Sequence, residues 1–280
     1  MFLQNHCRHF VGFLLALLLL GSVSAYSRET ISPVRAPESF VLFGGLAELR
    51  DDVYSGDLNV AGEFAPCNCF SVYGDFAYRF ISYEYNTMAH DQIHEMVNLR
   101  VNGLNESYLG VKMMPLSFLG VDVNWRLPPR EGSRVNSFYR IGVTPFGLYD
   151  ISRNMTVGVA TEYFMFFEER NFQPGDELGV KGSFSWKILW DQDDYSGWKL
   201  DYVLLYRWRL QESRNLNLNR PYQKMDDLYR GFKLRVDAAH YFSVFKNSLG
   251  AALFYEMNRG HLFGMETGHT LGIYAKFMFL

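Results

Sequence analysis

Between Leu119 and Leu127 every second residue is apolar: Leu119, Val121, Val123, Trp125 and Leu127. The residues between them are Gly120, Asp122, Asn124 and Arg126. A period of two marks a β-strand whose faces meet different surroundings. The division recurs. Leu200, Tyr202, Leu204, Tyr206 and Trp208 oppose Lys199, Asp201, Arg207 and Arg209. Phe232, Leu234, Val236 and Ala238 oppose Lys233, Arg235 and Asp237. In strand after strand the charges keep to one parity, and the other face is almost free of them. A Lys or Arg facing lipid at the bilayer midplane costs ~2–4 kcal/mol. This pattern avoids that cost repeatedly. A soluble barrel could show the same alternation with the apolar face turned inward, so the chain ends have to decide.

Met1 to Ala25 reads as a secretory signal peptide. Arg8 lies in the n-region, Val11 to Leu20 is almost wholly aliphatic, and Val23-Ser24-Ala25 is a small-residue cleavage site. The apolar run is shorter than the ~20 residues a spanning helix needs. At the other end, Leu271, Ile273, Ala275, Phe277 and Phe279 alternate with Gly272, Tyr274, Lys276 and Met278. The strand is long enough to cross a bilayer at a tilt, for which ~9–11 residues suffice. With a glycine, alternating hydrophobics and a near-terminal aromatic, this ending resembles the C-terminal assembly signal of bacterial outer-membrane β-barrels. Gly272, Ala275, Phe277 and Phe279 carry the likeness, and Leu280 departs from it, since such proteins often end on Phe. The resemblance is to an architectural class and implies insertion by the outer-membrane assembly machinery. Aromatics make up 17% of the chain. Trp125, Trp186, Trp190, Trp198, Trp208, Tyr139, Tyr149 and Tyr163 sit at strand ends, where interfacial girdles form.

The expected fold is all-β: a transmembrane antiparallel up-and-down barrel of about twelve strands. Connections at Pro66, Pro115, Tyr149, Asp191 and Phe242 are short. Those at Arg50, Tyr85, Pro128, Glu168, Gln211 and Asn258 are longer, as expected for periplasmic turns and outer loops. Residues 26–38, with Pro33 and Pro37, read as a periplasmic N-terminal extension, and residues 39–280 as the barrel. One stretch breaks the alternation. Ile93, Met96, Val97, Val101 and Leu104 recur at helical spacing, predicting a short helix in an outer loop near 90–104. Val97, Leu99 and Val101 allow a strand instead, which would make the count odd.

The charged parity supplies the candidate lumen. Its cations are Arg79, Lys112, Arg126, Arg140, Lys181, Lys187, Lys199, Arg207, Lys233, Arg235 and Lys276. Its acids are Glu63, Asp75, Asp122, Glu162, Asp201, Asp237 and Glu256. Cations outnumber acids, which suits a water-filled pore favouring anionic solutes. The same groups could instead pair and fill the interior. His90 and His94 have the i, i+4 spacing of a zinc-protease motif, but Asp91 replaces its glutamate and no third ligand is evident. Cys67 and Cys69 flank Asn68 and are readable as free thiols, a local bridge or an intermolecular one. Asp191, Asp193 and Asp194 lack the glycine and distal glutamate of a calcium loop. No nucleophile motif accompanies His240, His261 or His269. No catalytic residue, metal or cofactor is implied, and a net charge of −3 gives no basic bias toward nucleic acid. The expected partners are the bilayer, the insertion machinery and small solutes, with self-association open. The function this favours is a porin-like channel. A non-conducting barrel that binds a partner or surface polymer through its outer loops is the alternative, ahead of a membrane hydrolase and a soluble β-protein.

Overall fold

The computed structural model describes residues 32–50, 53–89, 92–104, 107–127, 139–167, 172–173, 175–192, 195–210, 214–215, 220–221, 230–245, 247–260 and 264–279. Every regular element among them is a strand. In chain order these are β1 (Ser39–Arg50), β2 (Val53–Cys67), β3 (Phe70–Ala89), β4 (Gln92–Leu104), β5 (Ser107–Leu116), β6 (Leu119–Leu127), β7 (Arg140–Ser152) and β8 (Met155–Phe166). They continue as β9 (Phe172–Gln173), β10 (Glu177–Asp191), β11 (Ser196–Arg209), β12 (Arg214–Asn215), β13 (Arg220–Pro221), β14 (Arg230–Val244), β15 (Asn247–Gly260) and β16 (Gly264–Phe279).

Twelve of them form one closed antiparallel ring: β1, β2, β3, β5, β6, β7, β8, β10, β11, β14, β15 and β16. Neighbours in the ring are neighbours in the chain, apart from β4, β9, β12 and β13, which lie outside it. The ends meet at one seam, where β1 pairs with β16 from Ser39↔Phe279 to Leu49↔His269. Closure leaves no free edge, as lipid requires of a spanning sheet.

The two faces are sorted as the alternation predicts, and the sorting tells inside from outside. Leu253 is 64% exposed and Ile273 61%, while Lys233 and Glu256 are each 1% exposed. The apolar parity points out and the charged parity points in. Water would favour the reverse, so the outer surface is matched to hydrocarbon. Trp125, Trp186, Trp198, Tyr139, Tyr149 and Tyr163 are exposed on it. Trp190 departs from the expected girdle. Between Ile188 and Asp191 the register of β10 slips, with Leu189 at φ 49°. The extra residue inverts the parity, so Leu189 turns out and Trp190 packs with Tyr241, ring centroids 5.5 Å apart.

Residues 92–104 form β4 rather than a helix. This strand pairs with β3 from Tyr78↔Leu104 to Ala89↔Gln92. Below it, β5 takes over on the same side of β3, from Asp75↔Tyr108 to Phe70↔Met113. Thus β4 prolongs β5 beyond the ring, and the ring count stays even. The first outer connection is shorter than expected too: β1 and β2 pair out to Arg50↔Val53. On another outer side, β12 pairs with both β9 and β13, joining segments of two long connections.

Candidate functional site

The site grows out of the seven residues before β1. Residues 32–38 enter the lumen. Val34 is buried against Met114, Phe146 and Ala160, which project inward from β5, β7 and β8. Its backbone N–H donates to Ser183 Oγ of β10 at 3.1 Å. In the ring, β8 and β10 lie half-way round from β1. The segment therefore crosses the interior as a strap. Gly158 of β8 makes room for it: a Cβ there would sit 2.6 Å from Val34 Cβ.

Charge anchors the strap. Arg35 pairs with Glu63 at 3.0 Å and with Glu38. Glu63 also accepts hydrogen bonds from Ser71 Oγ at 2.6 Å and from Lys112 Nζ at 3.0 Å. Its side chain is almost wholly buried, and two cations and a hydroxyl offset that burial. Lys276 of β16 donates to Glu38 at 2.5 Å. The Arg35 and Lys276 charges lie 4.4 and 4.3 Å from the Phe40 ring centroid.

Farther round, cations and aromatics alternate. Arg207 binds Glu162 at 2.6 Å and Lys181 reaches the same carboxylate at 2.9 Å. The guanidiniums of Arg140 and Arg207 lie 3.7 and 4.4 Å from the centroid of Phe164. Arg235 holds Asp237 through two hydrogen bonds of 2.8 and 2.6 Å and lies 3.8 Å from the Phe254 centroid. Lys233 pairs with Glu256 at 3.2 Å, and Lys199 with Asp201 at 2.9 Å. Strap and walls together line an open cavity of about 270 Å³.

Of the residues the sequence proposed for the lumen, Lys112, Arg140, Glu162, Asp201, Arg207, Lys233, Arg235, Asp237, Glu256 and Lys276 are buried inside the ring. Asp122 and Lys181 line the cavity. Arg79 lies on β3 with its backbone opposite Asp57, and its side chain is outside the described residues. So are Met1 to Ala25, His90, Asp193 and Asp194, and the side chain of His94. In the terminal strand Gly272 faces inward, where a Cβ would meet the Phe254 ring at 2.1 Å. Ala275 and Phe279 face outward, and the Phe277 and Phe279 rings meet edge to face. Cys67 and Cys69 form the local bridge, their Cα atoms 5.2 Å apart. His240 is lodged between Trp198 and Phe242 on the outer parity.

Val34, Arg35 and Glu38 are the residues that sequence reasoning missed. Nothing in a proline-bounded segment before a strand says that it folds back inside. The one available signal was a hydrophobic Val34 flanked by a charge that needed a partner.

No protein-family model and no curated protein matches the chain. Solved structures do. The NanC porin aligns with a TM-score of 0.50 and 9% identity, over 85% of this chain and all of that one. The β domain of the Bordetella autotransporter Brka aligns with a TM-score of 0.49 and 9% identity, over 88% of this chain and all of that one. LpxR from Salmonella typhimurium aligns with a TM-score of 0.49 and 10% identity, over 85% of this chain and all of that one. At 9% identity the likeness to the NanC porin speaks for fold and leaves activity to the site. The chain has the fold of the bacterial outer-membrane β-barrels.

Proposed function

We propose that this protein is an outer-membrane diffusion channel for small solutes, favouring anions, with a lumen narrowed by its own N-terminal strap. The observation that carries this reading is the lining of the interior cavity. Six cations (Arg35, Lys112, Arg140, Lys181, Arg207 and Arg235) meet four acids (Glu63, Asp75, Asp122 and Glu162). An excess of fixed positive charge in a narrow, water-accessible passage lowers the barrier for anions and raises it for cations. Gly272, Ala275, Phe277 and Phe279 serve as the assembly signal in this reading, and export follows cleavage near Ala25. Amino-terminal sequencing of the mature protein checks the cleavage.

Planar-bilayer recording of the refolded mature protein tests the function. Discrete current steps with an anion-selective reversal potential are expected. Silence from a barrel whose heat-dependent gel mobility shows it folded would overturn the channel. A second reading would then stand, in which the barrel is a closed scaffold for partner binding. The prolonged β3–β4 hairpin and the β9–β12–β13 pairing favour that alternative, because they build ordered backbone beyond the ring.

A further inference from the structure

Where β2 gives way to β3, Cys67 and Cys69 are bridged. Cys67, Asn68 and Cys69 are all exposed. The bridge joins residues two apart in the sequence. In the chain-entropy account a disulfide stabilises a fold by closing a loop in the unfolded chain, and the gain grows with the logarithm of loop length. A loop this short gains the least.

The turn is also held without the bridge. β2 and β3 pair from Val53↔Tyr83 to Phe64↔Val72, and Cys67 pairs with Phe70 beyond the bulge. The Ala65 N–H donates to Ser39 Oγ at 2.9 Å, and the Met114 N–H donates to the Cys69 carbonyl at 2.8 Å. Opening the bridge therefore leaves both cysteines on fixed backbone, with Cα atoms 5.2 Å apart, within the span from which a disulfide closes again. Between Phe64 and Phe70 the sequence carries no charge to repel a thiolate. The third cysteine, Cys7, lies in the expected signal peptide, so no further thiol of the mature chain competes. Exposed disulfides are the ones that exchange.

We propose that Cys67–Cys69 is a thiol–disulfide exchange site that oxidises dithiols at the end of the ring carrying the short turns. A thiolate of the dithiol attacks one Sγ. The S–S bond breaks, and the other cysteine leaves as a thiolate that takes up a proton. The second sulfur of the dithiol, having lost its proton, then attacks the mixed disulfide at the dithiol's own first sulfur. The dithiol becomes a disulfide, and its two electrons and two protons end on Cys67 and Cys69 as thiols. The site does not depend on whether the barrel conducts.

Glutathione and dihydrolipoamide, a small dithiol, are the probes. The folded protein in detergent is equilibrated with mixtures of reduced and oxidised glutathione, and free thiols are alkylated and counted by mass. A disulfide-stabilised secreted protein in the same tube is the reference. The pair is expected to open at a value of [GSH]²/[GSSG] about a hundredfold lower than the reference, with the folded gel mobility of the barrel unchanged. Dihydrolipoamide is expected to be oxidised in proportion as the two thiols appear. Cys67→Ser/Cys69→Ser should oxidise no dihydrolipoamide and should shift on heating at the temperature of the unaltered protein. A bridge as resistant as the reference would overturn the site. So would a barrel that shifts at a lower temperature when reduced or doubly substituted, since the bridge would then be a structural brace.

Discussion

Glu63 ties the strap to the wall, because Arg35 and Lys112 both rest on its carboxylate. Substituting Glu63→Gln leaves two interior cations short of their counter-charge, a loss of about 3 kcal/mol when a buried pair is broken from one side. The heat-dependent gel shift should then occur at a lower temperature than in the unaltered protein. On the outer face the sign of the argument changes. Leu253→Arg puts a charge where 64% exposure means contact with lipid, at a cost of ~2–4 kcal/mol near the midplane. Refolding yield in vesicles should fall for Leu253→Arg. This scale was the most legible in the sequence, since the rule that kept charges on one parity is local to each strand. It failed at Trp190, where a single bulged residue inverted the parity without leaving a mark in the composition.

The strap and the β3–β4 hairpin are elements that alternation could not reveal. Strand pairing continues through β3 and β4 to Ala89↔Gln92, yet the apolar period fades. Beyond the membrane both faces of a strand meet water, so nothing selects for alternation, and a chance helical spacing took its place. Replacing residues 81–101 by a short turn should leave a barrel that still folds and shifts on heating, since the ring pairings of β3 with β5 lie below the cut. Deleting residues 32–38 should increase single-channel conductance several-fold, because the strap occupies the passage from β1 to β10. Bilayer recordings of the two chains side by side decide this. Arg35 and Glu38 stayed illegible for a related reason: their partners Glu63 and Lys276 are remote in sequence, and only closure of the ring brings them within reach.

At the scale of the whole molecule the ring converts scattered charges into one field. The anion preference proposed for it should weaken as salt rises, because the screening length falls from ~10 Å at 0.1 M to ~3 Å at 1 M. Reversal potentials measured across that range should converge toward non-selective values, and a selectivity indifferent to salt would contradict a field of this kind. Ring closure itself was legible from the strand count and the two chain ends; what fills the ring was not. The seam between β1 and β16 joins the first and last strands of the ring, the kind of contact that forms late because it closes the longest loop. The strap precedes the first stave, and Lys276 on the last stave holds it. The wall is thus completed around a piece of its own chain, like a cask coopered over its contents. Once the last stave is seated, that piece has no sideways exit.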